Sequence, residues 1–178
     1  LTGAILTDAN LENAVLTNAI LNCVSNPVCV STGDELSGKD LTGAVLTGVD
    51  LSGKDLTGTI LTGADLTDAN LAGVDLSGKD LTGTILAGVD LSDDINITGT
   101  ILTGADLSNT ILTGVNLSGK DLTGTILTGA DLSNTNLSNA ILMNANLENV
   151  TLENAKILGV DLDSANLTSA NLRNALLV

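Results

Sequence analysis

The stretch LTGADLTDANLAGVDL, residues 61–76, repeats itself every five residues. Leu61, Leu66, Leu71 and Leu76 mark the centre of each unit. A small residue stands two positions before each centre (Ala64, Ala69, Val74), and Asp65, Asn70 or Asp75 stands immediately before it. After the centre comes Thr or Ala, and then Gly63, Asp68 or Gly73. Five is neither the period of a helix nor that of a simple alternating strand. It fits a short extended piece, with the centre and the residue two before it on one face and the intervening residue on the other, followed by a corner. Gly, Asn and Asp supply such corners because they tolerate the backbone conformations of tight turns.

Outward from this stretch the rhythm covers nearly the whole chain. Leu falls at every fifth residue from Leu1 to Leu91, apart from Asn26 and Ser31, and the pattern resumes one residue late from Ile97 to Leu177. Four corners close a square, so one coil takes about 20 residues and coils stack about 4.8 Å apart. The expected fold is therefore all-β, a single solenoid domain over 1–178 of about nine coils, interrupted by a loop at 22–35 and by a one-residue bulge near SDDIN, 92–96.

Composition agrees with a narrow, regular interior. The 178 residues are 43% hydrophobic yet contain no Phe, Tyr or Trp, so Leu, Ile, Val, Ala and Thr must fill the core without aromatic rings. The net charge of −15 opposes direct binding to nucleic acid, whose phosphates require clustered Lys and Arg. No run approaches the ~20 apolar residues of a membrane-spanning helix. With no His, no nucleophile–base constellation and no phosphate-loop motif, the sequence offers no catalytic residue, cofactor site or metal site, and an enzyme is not expected.

The runs LTGADLTDANLAGVDL (61–76) and ADLSNTNLSNAILMNANLENV (130–150) resemble the A(D/N)LXX motif of pentapeptide-repeat proteins, a family abundant in cyanobacteria. The resemblance implies a right-handed quadrilateral β-helix and says little about function.

Counting four units per turn assigns the outward residues to columns. Asp40, Ile60, Asp80, Ile101, Asp121, Ile141 and Asp161 form one face, and Val45, Asp65, Ile85, Asp106 and Ile126 the next, in opposite phase. This checkerboard disperses like charge and apolar surface, and reads as structural. The third face carries Asp50, Asn70, Asp90, Ile111 and Asp131; the fourth carries Glu35, Asp55, Asp75, Asn96, Asn116 and Asn136. On the fourth, three acids stack without relief. Glu35, Asp50, Asp55, Asp75, Asp90 and Asp131 are thus the candidate acidic interaction surface, for a basic protein partner or for weak cation binding, against the plainer reading of a solvated acidic wall. Lys39, Lys54, Lys79 and Lys120 occupy the inward slot two before the centre, where an ammonium must escape at a corner or find a partner; a structural salt bridge is expected, with Lys54 one coil above Asp34.

Cys23 and Cys29, in CVSNPVC, flank a Pro-containing bend and suit a loop-closing disulfide, with two reduced thiols as the alternative. A disulfide would place the chain in an oxidising compartment such as a periplasm or thylakoid lumen. The ending NALLV, with Leu176 in a normally polar slot, leads to the expectation of a weak end-to-end homodimer. The leading functional expectation is a non-enzymatic structural or protein-interaction rod with an unknown protein partner. The alternative is a DNA mimic that binds a DNA-handling enzyme such as gyrase, as the quinolone-resistance members of the family do. Charge density weighs against mimicry: about one charge per 2.7 Å of rod, against about one per 1.7 Å on duplex DNA. Those members also resemble one another in using Phe at many centre slots and an aromatic C-terminal dimer helix, both missing here.

Overall fold

The computed structural model describes residues 36–92 and 96–177. Within them the chain winds as a four-sided parallel β-helix. Each side presents one outward residue per coil, and most of these pair with the next coil in a ladder. The ladders include Asp40↔Ile60, Val45↔Asp65, Asp50↔Asn70 and Asp75↔Asn96, all parallel. The outward residue donates its amide to the coil below and the next residue's amide takes a carbonyl from the coil above, as in Ile60 N–H to Lys39 O (2.9 Å) and Leu41 N–H to Ile60 O (2.9 Å). Because a corner follows so soon, only the last pair of coils forms strands longer than one residue: β1, Lys156–Ile157, pairs in parallel with β2, Leu176–Leu177.

Each corner is a tight turn closed by a three-residue step, such as Ala44 N–H to Leu41 O (2.9 Å), and its third residue has positive φ. Gly fills that position in most units of the N-terminal part; Asn109, Asn134, Asn139, Asn144, Asn149 and Asn154 take it over later, since Asn enters the left-handed region at low cost. The two types are not freely exchangeable. Gly88 and Gly129 lie directly above Asp68 and Asn109, and a Cβ at Gly129 would come within 2.6 Å of Asn109 Oδ1. One corner column therefore alternates Gly48, Asp68, Gly88, Asn109, Gly129 and Asn149. The outward Asp or Asn locks the turn from its other side: Asp80 Oδ1 accepts the Thr82 amide (3.0 Å), and Asn96 Oδ1 accepts the Thr98 amide (3.1 Å).

The interior matches the expected pattern. Every centre residue from Leu36 to Leu91 is at most 2% exposed, and the small residues two positions earlier, such as Ala64, Val74 and Ala130, are buried beside them. Threonine can occupy that small slot because its hydroxyl reaches a carbonyl. Thr59 Oγ1 donates to Leu36 O (2.8 Å) and Thr84 Oγ1 to Leu61 O (3.0 Å), both one coil below, whereas Thr125 Oγ1 donates to Leu122 O (2.8 Å) in its own turn.

The ladder step is 20 residues below the 93–95 segment and 21 across it, as in Asp75↔Asn96 and Asp90↔Ile111, and it returns to 20 at Asp106↔Ile126. The three residues 93–95, the loop at 22–35, Cys23, Cys29, Asp34 and Glu35 lie outside the described residues. In the last coil the core is only partly covered, at Val160, Leu162, Leu167 and Leu172, and Leu176 and Leu177 are exposed. No helix among the described residues is long and apolar enough to cross a membrane.

Candidate functional site

The acidic residues named from the sequence, Glu35 excepted because it lies outside the described residues, fall on two neighbouring faces. Asp50, Asp90 and Asp131 stand on the third, with Asn70 donating its side-chain amide to Asp50 Oδ1 (3.0 Å) and Ile111 bridging Asp90 and Asp131 along the ladder. Asp55 and Asp75 stand on the fourth, where they cap the amides of Thr57 (2.8 Å) and Ser77 (2.9 Å). The ladders omit an Asp55–Asp75 rung among the described residues. An open cleft of about 350 Å³ lies at that point, lined by Lys54, Asp55, Thr57, Asp75, Ser77 and Lys79 among others.

Of the three acids expected to stack, Asp55 and Asp75 are described and Glu35 lies outside the described residues. The hydroxyl and amide of Thr57 hold the Asp55 carboxyl below its usual range, and the Ser77 amide and hydroxyl do the same for Asp75; in both cases the Lys79 ammonium adds to the effect. Asp50 is lowered first by Ser52, with smaller help from Asn70 and Lys54. Lys54 and Lys79 thus line the cleft together with Asp55 and Asp75. Two ammonium groups lining the cleft oppose a bound cation, and among the described residues no three Asp, Glu, Cys or His side chains converge as metal ligands.

Two of the inward lysines, Lys79 and Lys120, find backbone partners, while Asp34, the residue expected to pair with Lys54, lies outside the described residues. Lys120 Nζ donates to Ile97 O (2.8 Å) and Thr100 O (3.0 Å), and Lys79 Nζ reaches Thr59 O at 3.5 Å. Their partners are carbonyls, not carboxylates. Ile97 O bears the same relation to Lys120 that Leu36 O bears to Thr59, 23 residues back, so the ammonium takes the acceptor a threonine hydroxyl takes elsewhere. Desolvation lowers the Lys120 pKa. The ladders also omit rungs between Ile60 and Asp80 and between Ile101 and Asp121, where these amines enter. Among the described residues one ion pair is seen, Arg173 Nε to Glu153 Oε1 at 4.0 Å, an exposed contact of little energetic weight.

The family model for pentapeptide repeats matches eight copies, over residues 1–25, 35–63, 64–93, 93–129, 121–157 and 145–178. The chain belongs to the pentapeptide-repeat family. Membership in it implies the right-handed quadrilateral coil. No curated protein matches this pentapeptide-repeat chain significantly. Among solved structures it is similar to HetL, a pentapeptide repeat protein involved in heterocyst differentiation regulation from the cyanobacterium Nostoc sp. strain PCC 7120 (27% identity, 78% of this chain and 76% of that one, TM-score 0.26). It is also similar to full-length QnrB1, a plasmid-mediated fluoroquinolone resistance protein (20% identity, 73% and 84% covered, TM-score 0.40). A third is a pentapeptide repeat protein of the Arabidopsis thaliana thylakoid lumen (30% identity, 72% and 64% covered, TM-score 0.19).

Proposed function

We propose that this chain is a non-enzymatic protein-interaction rod whose acidic outward columns receive a basic protein partner. The observation that carries the reading is the regular stacking of those columns: one outward side chain per coil recurs on each face, with the backbone largely paired up and down the stack. With most amides and carbonyls taken, recognition falls to the outward side chains. These are dominated by Asp, Asn and Ile, in a chain of net charge −15. Exposed acids of this kind raise association rates with cationic partners more than they raise affinity.

A second reading, mimicry of DNA, is favoured by the sign of the net charge. DNA supercoiling by gyrase separates the two. The rod reading expects supercoiling to be unchanged by a large molar excess of the chain; inhibition at near-stoichiometric amounts would transfer the assignment to the DNA mimic.

A further inference from the structure

We propose that the first face, with Ile60, Ile101 and Ile141 alternating with Asp80, Asp121 and Asp161, is a docking surface for a basic amphipathic helix lying along the rod. This deepens the interaction-rod reading and rests on it.

The second face shares the alternation, with Ile85 and Ile126 exposed at 36% and 41%, but differs in its carboxylates. The first face's isoleucines are the main large apolar side chains that the column presents to solvent, at 48%, 47% and 37% exposure for Ile60, Ile101 and Ile141. They recur every second coil with an exposed carboxylate between them. No ion pair reaches Asp80, Asp121 or Asp161 among the described residues. Asp80 and Asp121 are held in the charged form by Thr82 and Thr123, hydroxyl and amide together, without a lysine contributing. Lys79 instead acts on Asp55 and Asp75, around the corner. On the second face Asp65 and Asp106 are half-buried, and on the third Ile111 is the single isoleucine of its column. The first face therefore offers exposed apolar anchors and exposed carboxylates in strict alternation.

Spacing selects the partner. Successive rungs are about 4.8 Å apart, so the isoleucines recur at about 9.6 Å. An α-helix presents one residue in seven on the same stripe at about 10.5 Å, with the residues three and four further on midway between. Leucines at every seventh position would meet the isoleucines, and lysines or arginines between them would meet the carboxylates. From Ile60 to Ile141 the accumulated mismatch is about 2 Å, well within the reach of a lysine stem. An extended strand repeats on one face at about 6.8 Å and falls out of step at once. A second copy of this chain would bring its own carboxylates against the exposed Asp80, Asp121 and Asp161.

The test uses two labelled peptides of identical composition, one with leucine at every seventh position and lysine at the third and fourth positions between, the other permuted so that the leucines share no face. Fluorescence anisotropy is read against the full chain and against Ile101→Asp, Asp80→Asn with Asp121→Asn, and Asp55→Asn with Asp75→Asn. Each variant is first shown to melt like the parent, and asparagine preserves the turn caps. The heptad peptide is expected to bind about ten-fold or more tighter than the permuted one, and to lose about ten-fold with either first-face variant. It should change by less than about two-fold with the Asp55/Asp75 pair. Equal binding of the two peptides, or indifference to Ile101→Asp, overturns the docking face. If binding then depends on Asp55 and Asp75, the interaction-rod reading survives on another face; if neither peptide binds and no acidic variant matters, both fall.

Discussion

Replacing Leu66 by alanine is expected to destabilise the chain by about 2–5 kcal/mol. Leu66 is fully buried in a column with Leu46 and Leu86 one coil away on either side, each at 0% exposure. Both neighbours are pinned by ladder bonds, as in Leu66 N–H to Ile85 O (2.7 Å) and Asp65 N–H to Ala44 O (2.8 Å). The coil cannot close over the missing methyls without breaking those rungs, so most of the cavity persists. Leu172→Ala, in the partly covered last coil, should cost clearly less. Urea unfolding midpoints of the two variants provide the comparison, and equal losses would show that burial in the column does not set the cost.

The opposite change should also be costly. Ala130→Leu is expected to cost about 1–3 kcal/mol, because the slot two before the centre faces a fully packed interior and ladder bonds hold the coil spacing fixed. Ala130 has no exposed surface, and its column holds Val89, Thr110 and Val150. Ala130→Val should accordingly be much milder, since valine already fits there one coil above. Calorimetric melting of the pair reads out size at constant apolar character; a leucine tolerated as well as the valine would contradict a close-packed square core.

These two expectations could be written from the chain's five-residue rhythm, because the centre and small slots alternate inward and outward with no help from tertiary context. The outward columns were equally legible by counting four units, including the change to a 21-residue step after Ser92. What counting could not supply is where a long side chain ends. Lys79 belongs by register to the first face, yet it lines the cleft beside Asp55 and Asp75 of the fourth and makes a small contribution to holding their carboxyls charged. Lys120 looked like half of a salt bridge because a buried ammonium wants an anion. A backbone carbonyl one coil below serves it, and Thr59 and Thr84, which use the equivalent carbonyl, were the signal present in the sequence slot but not read. The alternation of Gly with Asp or Asn in a corner column was visible too. Its cause, a side chain lying over the glycine above, needed the coils to be stacked.

The most direct test of the whole arrangement is a distance between two outward positions far apart in sequence. With Cys23 and Cys29 replaced by serine, spin labels at Asp40→Cys and Asp161→Cys sit on one face, in the outward column that also holds Ile60, Asp80, Ile101, Asp121 and Ile141. Six coil steps at about 4.8 Å predict one narrow distance of ~29 Å from pulsed electron–electron resonance. A broad distribution, or a mean displaced by more than two rungs (about 10 Å), would contradict the stacked square coil and every column assigned from it.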